Sequence, residues 1–438
     1  MKAFIQSLET GARPCIAQCV DALGDAIPAM HALEGTPQDP GWHAEGNVFV
    51  HTGMVLEALY ALLDERAASV TGHRRAALIL AAALHDVAKP ETTREMEIRG
   101  VQRVAAPRHE MRGRSMLAVQ LMGQGLDYRT VELALDLVGY HVQPKFLVVK
   151  GRERGAYVGL AQCADPELLY WLELADMIGR RCDDQPQQIE HIEMFGLFAR
   201  EYGAWTRFGD EAPQWRATFR DAMPDVPAMR DLGHGQFVHD LCAGTITQPE
   251  EGIARSYRMR DGFPELVLTV GPSGSGKSTW IERHLADHRS ISLDDIRAEL
   301  GGRSDQSKNG HVKQIARERL REGLRRKQKV VWDATSLRRD FRDVVIGLAL
   351  DYGALVTLVC FPNSAAAYHR RNAQREVPVP TAVLERQLAV LEWPERLEAH
   401  RWLAVDSQGR ALAYYGGLDE ALPYGVEPAS ELLREPAP

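Results

Sequence analysis

Residues 271–278 read GPSGSGKS, which satisfies the pattern G-x-x-x-x-G-K-[ST]. The stretch follows the apolar run LVLTV and leads into a helix-compatible segment, so it reads as a strand, a loop and a helix in succession. No other feature constrains the fold as much. A strand feeding a helix in this way belongs to a sheet covered by helices. The glycines let backbone N–H groups wrap a phosphate. Gly271, Ser273, Gly274, Ser275, Gly276 and Thr279 form that cradle. Lys277 is placed to neutralise the β- and γ-phosphates of ATP, and the Ser278 hydroxyl to ligate Mg²⁺.

The surrounding pattern agrees. From residue 263 onward, short β-rich runs at 266–270, 290–293, 330–333 and 355–360 alternate with helical stretches. This predicts an α/β domain with a parallel sheet over 263–438. The first half is different. HTGMVLEALYALL, RRAALILAAALHDVAK, RTVELALDLVGYH and PELLYWLELADMIGRR each repeat apolar residues every three to four positions. An all-α bundle is expected over 1–205. Residues 206–262 are rich in Gly, Asp, Pro, Arg and Trp and read as a partly helical connector, and the tail ASELLREPAP is expected to fray. The chain is therefore multidomain.

Composition narrows the setting. No apolar run reaches the ~20 residues a membrane span needs, and the first residues carry no apolar leader segment. The expectation is a cytoplasmic protein without a membrane partner. The six Cys form no C-x-x-C pair and read as free thiols of a reducing compartment. A formal net charge of −8 excludes a generally basic nucleic-acid coat. Residues 303–342 nonetheless hold thirteen Lys/Arg against five Asp/Glu, which suits a local polyanion site or a solvated basic helix.

Three features after the loop narrow the reaction. SISLDDIRAEL places Asp294 and Asp295 just behind a short strand. An Asp there can take the proton of a hydroxyl attacking the γ-phosphate; Asp294 is the first choice and Asp295 its rival. Arg297, three residues on, shares the helical face of Asp294 and can hold a second phosphate. An N-capping Asp and a surface Arg would look the same. Asp333 ends the strand of KVVWDATSL, where a carboxylate orients Mg²⁺-bound water. Arg371 and Arg375 lie four apart in YHRRNAQREVPVP, on one face of a helix that can close over the triphosphate.

The helical half carries its own chemistry. The run AALHDVAKP makes His85 and Asp86 neighbours on a helix, with His85 continuing the apolar stripe of Leu78 and Ala81. His51 shares a face with Met54, Val55, Ala58 and Leu62, and Asp176 with Leu169 and Leu172. His109 sits at a helix start and His141 at a helix end. Inward-facing His and Asp on several helices are what a metal cluster in a bundle requires. Imidazoles with carboxylates suit transition metals such as Mn²⁺, Co²⁺ or Ni²⁺. Lys89, one turn after His85, can steady a substrate phosphate or simply end its helix.

The Walker loop, the D-x-x-R and the R-N-x-x-R lid together resemble the kinase domain of phage and bacterial 5′-OH polynucleotide kinases, over roughly residues 263–400. The resemblance implies that Asp294 is the general base for the 5′-OH. It implies that Arg297 grips the 3′-phosphate of the terminal nucleotide and that Arg371 and Arg375 contact the ATP phosphates. The order H…HD…H…H…D over roughly 40–185 resembles the HD-domain metal-dependent phosphohydrolases. The flanking text HAEGNVFVHT and RHEMRGRSMLA is similar to the HD domains of bacterial tRNA nucleotidyltransferases. That resemblance implies one metal on His51, His85, Asp86 and Asp176, and a second on Asp86, His109 and His141.

The two modules in this order resemble bacterial HD-domain polynucleotide kinases. The implied substrates are RNA or DNA ends bearing a 5′-OH and a 2′,3′-cyclic, 2′- or 3′-phosphate, healed for a separate ligase. A homodimer is compatible with this. The rival reading is a P-loop kinase of a small molecule, a nucleotide sugar or nucleoside, fused to a regulatory HD nucleotide phosphohydrolase.

Overall fold

The computed structural model describes residues 1–301 and 309–435. It divides into two units, Met1–Asp210 and Glu211–Pro438.

The first unit is helical at its core. Helices Val48–Glu65, Gly72–Leu84, Tyr128–Tyr140 and Pro166–Ile178 supply about half of its buried side chains. Their starts follow local chemistry. The Asn47 side chain accepts the Val50 N–H at 2.9 Å, and Asp165 accepts that of Leu168 at 3.1 Å, with Pro166 in the first turn. A two-stranded hairpin was not expected here. Strands β1 (Arg94–Ile98) and β2 (Val101–Ala105) pair antiparallel from Arg94↔Ala105 to Ile98↔Val101. Arg99 and Gly100 both take positive φ, 53° and 79°, as a two-residue hairpin turn demands. Neither strand buries an apolar face, so the two-residue periodicity that marks a strand is missing.

The second unit is built on a seven-stranded sheet. Its strands are β3 (Glu265–Val270), β4 (Arg289–Ser292), β5 (Lys329–Asp333), β6 (Leu355–Cys360), β7 (Arg401–Val405), β8 (Ala411–Tyr415) and β9 (Pro428–Arg434). The spatial order is β4-β5-β3-β6-β7-β8-β9. The first five run parallel, and Val267, Val331, Val359 and Leu403 on them are fully buried. Burial on both faces explains why these strands read as near-continuous apolar runs.

Three expectations need correction. The sheet is not wholly parallel, because β8 returns antiparallel to β7 through a turn at 406–410 closed by Asp406 N–H to Arg410 O at 2.8 Å. The tail does not fray at 429–434. It forms β9, whose Leu433 and Arg434 pair with Ala413 and Tyr414 of β8. Most of the stretch read as a connector is part of the second unit. Its helices Ala212–Ala222, Pro227–Cys242 and Pro249–Ser256 pack on one another, and the middle one lies against β6. Asp231 is buried there, accepting from Arg401 Nε at 2.7 Å and Leu418 N–H at 2.8 Å, and Leu232 and Met259 join a core cluster with Leu355. The prolines that suggested a linker, Pro213, Pro227 and Pro249, stand in the first turns of these helices.

Candidate functional site

The first unit brings all six predicted metal ligands together. His51 is buried in helix Val48–Glu65, and His85 caps the end of Gly72–Leu84 with Asp86 in the turn beyond it. His109 opens helix His109–Gln120, His141 caps Tyr128–Tyr140, and Asp176 lies in the last turns of Pro166–Ile178. Two groups of potential ligand atoms result, each within 4.8 Å: His51, His85 and Asp176, and Asp86, His109 and His141. Asp86 stands between them. Its Oδ2 is 3.2 Å from His85 Nε2 and 3.8 Å from His51 Nε2, while its Oδ1 is 3.1 Å from His109 Nε2. His51 Nε2 is 3.0 Å from Asp176 Oδ1, and His109 Nε2 is 3.3 Å from His141 Nε2.

Ring orientation decides what this cluster can hold. His85, His109 and His141 each direct Nδ1 at the carbonyl three residues earlier, Ala82 at 2.9 Å, Ala106 at 2.8 Å and Val138 at 2.8 Å. A carbonyl only accepts, so each Nδ1 carries a proton, which leaves each Nε2, aimed at the cluster, as the atom that can ligate a metal. Both ring nitrogens of His51, His85 Nε2 and Asp86 Oδ2 are buried without a hydrogen bond of acceptable geometry. Stranding one buried polar atom costs about 1–3 kcal/mol, and stranding several side by side is a mark of ligand atoms. Spacings near 3 Å match donors arranged round a cation at about 2.1 Å. The donor set therefore fits a pair of divalent metals.

The electrostatics agree. Burial opposes ionisation of Asp86, but His85, Lys89 and His109 outweigh it and hold the carboxyl well below its ordinary range. Asp176 is held low in the same way by Arg180 and His51. Burial, with His109 and His85 beside it, pushes His141 down to about 3, so its ring is neutral as a ligand must be. Backbone strain also falls at the cluster, for Arg108, just before His109, sits in the left-handed region at φ 58°.

Lys89 is at the site but engaged. Its ammonium lies 2.7 Å from Asp86 Oδ2 and donates to Gln38 Oε1 at 2.6 Å. Three further residues were missed. Glu45 contacts His51 Nδ1 at 2.9 Å and His43 Nδ1 at 2.8 Å, and Arg180 donates to both oxygens of Asp176 at 3.0 and 2.9 Å. Arg180 was findable, being one turn after Asp176. His43 and Glu45 lie in a loop, where no helical face argues for their direction.

In the second unit, Lys277 opens helix Lys277–His284 directly behind the loop. Gly274 and Gly276 take φ of 79° and 98°. A Cβ at Gly274 would lie 2.7 Å from Tyr368 O and 3.0 Å from Asn372 N, so only glycine lets the lid helix approach. Lys277 Nζ donates to Gly271 O at 2.8 Å, Pro272 O at 2.9 Å and Ser275 Oγ at 3.1 Å, and burial brings it down to about 8. A cavity of about 410 Å³ is lined by Gly274, Lys277, Ser278, Thr279, Arg371 and Arg375, among others. Arg371 donates to Ser275 O at 3.2 Å and to Ser407 O. The lid helix is shorter than expected. It ends at Ala373 because Asn372 turns back to bond Val379 O and N–H, leaving Arg375 in the turn beyond. Both arginines still face the cavity.

The residues expected to face an acceptor lie on β4, β5 and the helix after β4. Ser292 caps helix Leu293–Glu299 by accepting the Asp295 N–H, which sets Asp294 and Asp295 in its first turn. Asp294 and Arg297, assigned separate tasks from sequence, form an ion pair with each other. Asp333 ends β5 in register with Ser292. Burial raises its carboxyl; Lys277 pulls the other way, and Asp294 and Asp295 add to the rise.

The basic stretch 303–342 is a weaker argument for a polyanion than its charge count suggested. Residues 303–308 lie outside the described residues. Arg319, Arg321, Arg326, Lys329, Arg338, Arg339 and Arg342 pair with Glu299, Glu318, Glu322, Asp287, Asp340, Glu395 and Glu398. The Arg342–Glu398 pair is buried and structural.

With this geometry in place, residues 266–394 match the family described as AAA domain (AAA_33). The match, the loop and the sheet make the second unit a P-loop domain of kinase type, which uses ATP and Mg²⁺. Among solved structures, a chain of the Pnkp1/Rnl/Hen1 RNA repair complex is 24% identical with a TM-score of 0.27. That alignment covers 30% of this chain and 44% of the other, so it spans less than half of that protein. A gluconokinase from Sinorhizobium meliloti 1021 is also 24% identical, with a TM-score of 0.25, covering 33% of this chain and 83% of its own. These likenesses decide nothing between a polynucleotide and a small-molecule acceptor. Among the described residues no helix is long and apolar enough to cross a membrane.

Proposed function

We propose that the chain heals nucleic-acid ends by two reactions, phosphorylating a 5′-OH and removing a 2′,3′-cyclic, 2′- or 3′-phosphate. The observation that carries this reading is the paired ligand cluster around Asp86 in a chain that also bears a P-loop kinase-type unit. In the second unit, Lys277, Arg371 and Arg375 hold the triphosphate, with Ser278 and Asp333 placed to hold its Mg²⁺. Asp294 takes the proton of the attacking 5′-OH as Arg297 moves from Asp294 to the 3′-phosphate of the acceptor.

In the first unit, His51, His85, Asp86 and Asp176 would hold one divalent transition metal, and Asp86, His109 and His141 the other. When bound, such a pair supplies a hydroxide nucleophile near neutral pH and clamps the phosphate oxygens. Lys89 holds Asp86 ionised from one side, and Arg180 does the same for Asp176.

The test is to incubate the protein with ATP and an oligonucleotide bearing 5′-OH and 3′-phosphate, as RNA and as DNA, and to analyse both ends. Phosphate gained at one end and lost at the other supports the proposal. The ion-paired basic stretch favours the second reading, a small-molecule kinase beside a regulatory phosphohydrolase, and that reading gains if neither end changes.

A further inference from the structure

We infer that Glu45 is a positioning residue that fixes the tautomer of His51 and thereby governs one of the two cation positions. The inference rests on the metal reading above and goes beyond its ligands. His85, His109 and His141 borrow nearby backbone carbonyls to hold their Nδ1 protons. Two of those histidines sit at helix C-termini, where the last carbonyls lack intrahelical partners.

His51 has no such recourse. It lies inside helix Val48–Glu65, where Asn47 O accepts the His51 N–H at 3.1 Å and Val48 O accepts the Thr52 hydroxyl at 2.8 Å. The Glu45 carboxylate stands where that acceptor is needed, at contact distance from His51 Nδ1 though off the angle of a hydrogen bond. Its Oε1 is 2.9 Å from His51 Nδ1 and 2.8 Å from His43 Nδ1, and its Oε2 accepts the Arg181 N–H at 2.9 Å. An ionised carboxylate only accepts, so both rings must present N–H at Nδ1. Nε2, which faces Asp176 Oδ1 at 3.0 Å, is thereby left as the ring atom that would turn a lone pair to a metal. The Glu45 and His51 side chains are 1% and 0% exposed, so water cannot take over the task. Carboxylates placed behind metal-bound histidines act in this way, and their removal typically costs 10–100-fold in metal affinity.

The position of Glu45 makes a selective prediction. It touches His51, which groups with His85 and Asp176 as well as with Glu45 and His43, and its ion pairs are with His43 and His51, not with His109 or His141. Full-length protein stripped with chelator is titrated with Co²⁺, reading stoichiometry by calorimetry and coordination by visible absorption. Wild type should bind two ions. Glu45→Ala should weaken one of them 10–100-fold and leave the other unchanged, while Glu45→Gln, which keeps a carbonyl acceptor, should fall between.

Unchanged binding of both ions by Glu45→Ala would overturn the inference and leave the metal reading intact. Equal weakening of both would show a general packing role and also overturn it. A wild type that binds no Co²⁺ would remove the metal reading and this inference together. Should Glu45→Ala fail to fold, the Gln variant decides by the same titration.

Discussion

The two candidate sites solve opposite problems. The histidine cluster is buried, and its ligand atoms are held by carbonyls and carboxylates behind them, with several stranded without hydrogen bonds. The kinase-type site is open, and its charged groups are already satisfied: Lys277 by loop carbonyls, Arg297 by Asp294, Arg371 by Ser275 O and Ser407 O. A site for resident cations gains from donors fixed in advance. A site for transient, highly charged substrates must exchange partners, so its groups need temporary ones. The first should respond to mutation through binding of ions, the second through turnover and substrate affinity.

The largest effect expected on the exchangeable side is at Asp294. Asp294→Asn keeps shape but cannot take a proton, so turnover should fall by ~10²–10⁴ with ATP affinity preserved. Steady-state kinetics with a 5′-OH oligonucleotide check this; a larger loss in Asp295→Asn would transfer the role to its neighbour. Next comes Arg297→Ala. A charge-assisted phosphate contact contributes about 1.5–3 kcal/mol, so the acceptor KM should rise roughly ten- to hundredfold. The ATP KM should not move, and the preference for a nucleoside 3′-monophosphate over a nucleoside should vanish.

Lys277 gives a smaller, pH-dependent effect. Its ammonium form is the one a triphosphate needs, and burial sets its titration at about 8. ATP binding should be insensitive to Lys277 below that pH and weaken by about tenfold per unit above it. Lys277→Arg, charged throughout, should flatten the slope in an ATP-binding titration.

The smallest effect concerns stability alone. Burial, with Arg216 nearby, pushes His234 down to about 3. The unfolded chain therefore binds a proton between roughly pH 6.5 and 3 that the folded chain refuses. The stability is full above that window and is lost as pH falls through it, by about 1.4 kcal/mol at pH 5.5. Comparing melting temperatures at pH 7.5 and 5.5, His234→Leu should lose less than wild type.

Sequence was informative where one local rule settles direction. The loop at 271–278 carries its own geometry in its glycines. His51, His85 and Asp176 could be placed because apolar neighbours at helical spacing show which way a residue faces. Where direction depends on tertiary contact, the reading failed. Glu45 and His43 come from a loop. Nothing near Asp231 in sequence foretells its pairing with Arg401. Strands β7 to β9 follow the last predicted strand, and β9 alternates polar and apolar residues too weakly to stand out without its partner. The charge count over 303–342 misled for a related reason: an arginine in sequence does not show the glutamate it pairs with.

The central claim is that one chain carries two independent chemistries. The direct measurement follows both ends of one 5′-OH, 3′-phosphate oligonucleotide with ATP, using wild type, Lys277→Ala and Asp86→Asn, each checked for folding. The account predicts that Lys277→Ala removes the 3′-phosphate but adds none at the 5′ end, and that Asp86→Asn does the reverse. Loss of both reactions in either folded variant would contradict it.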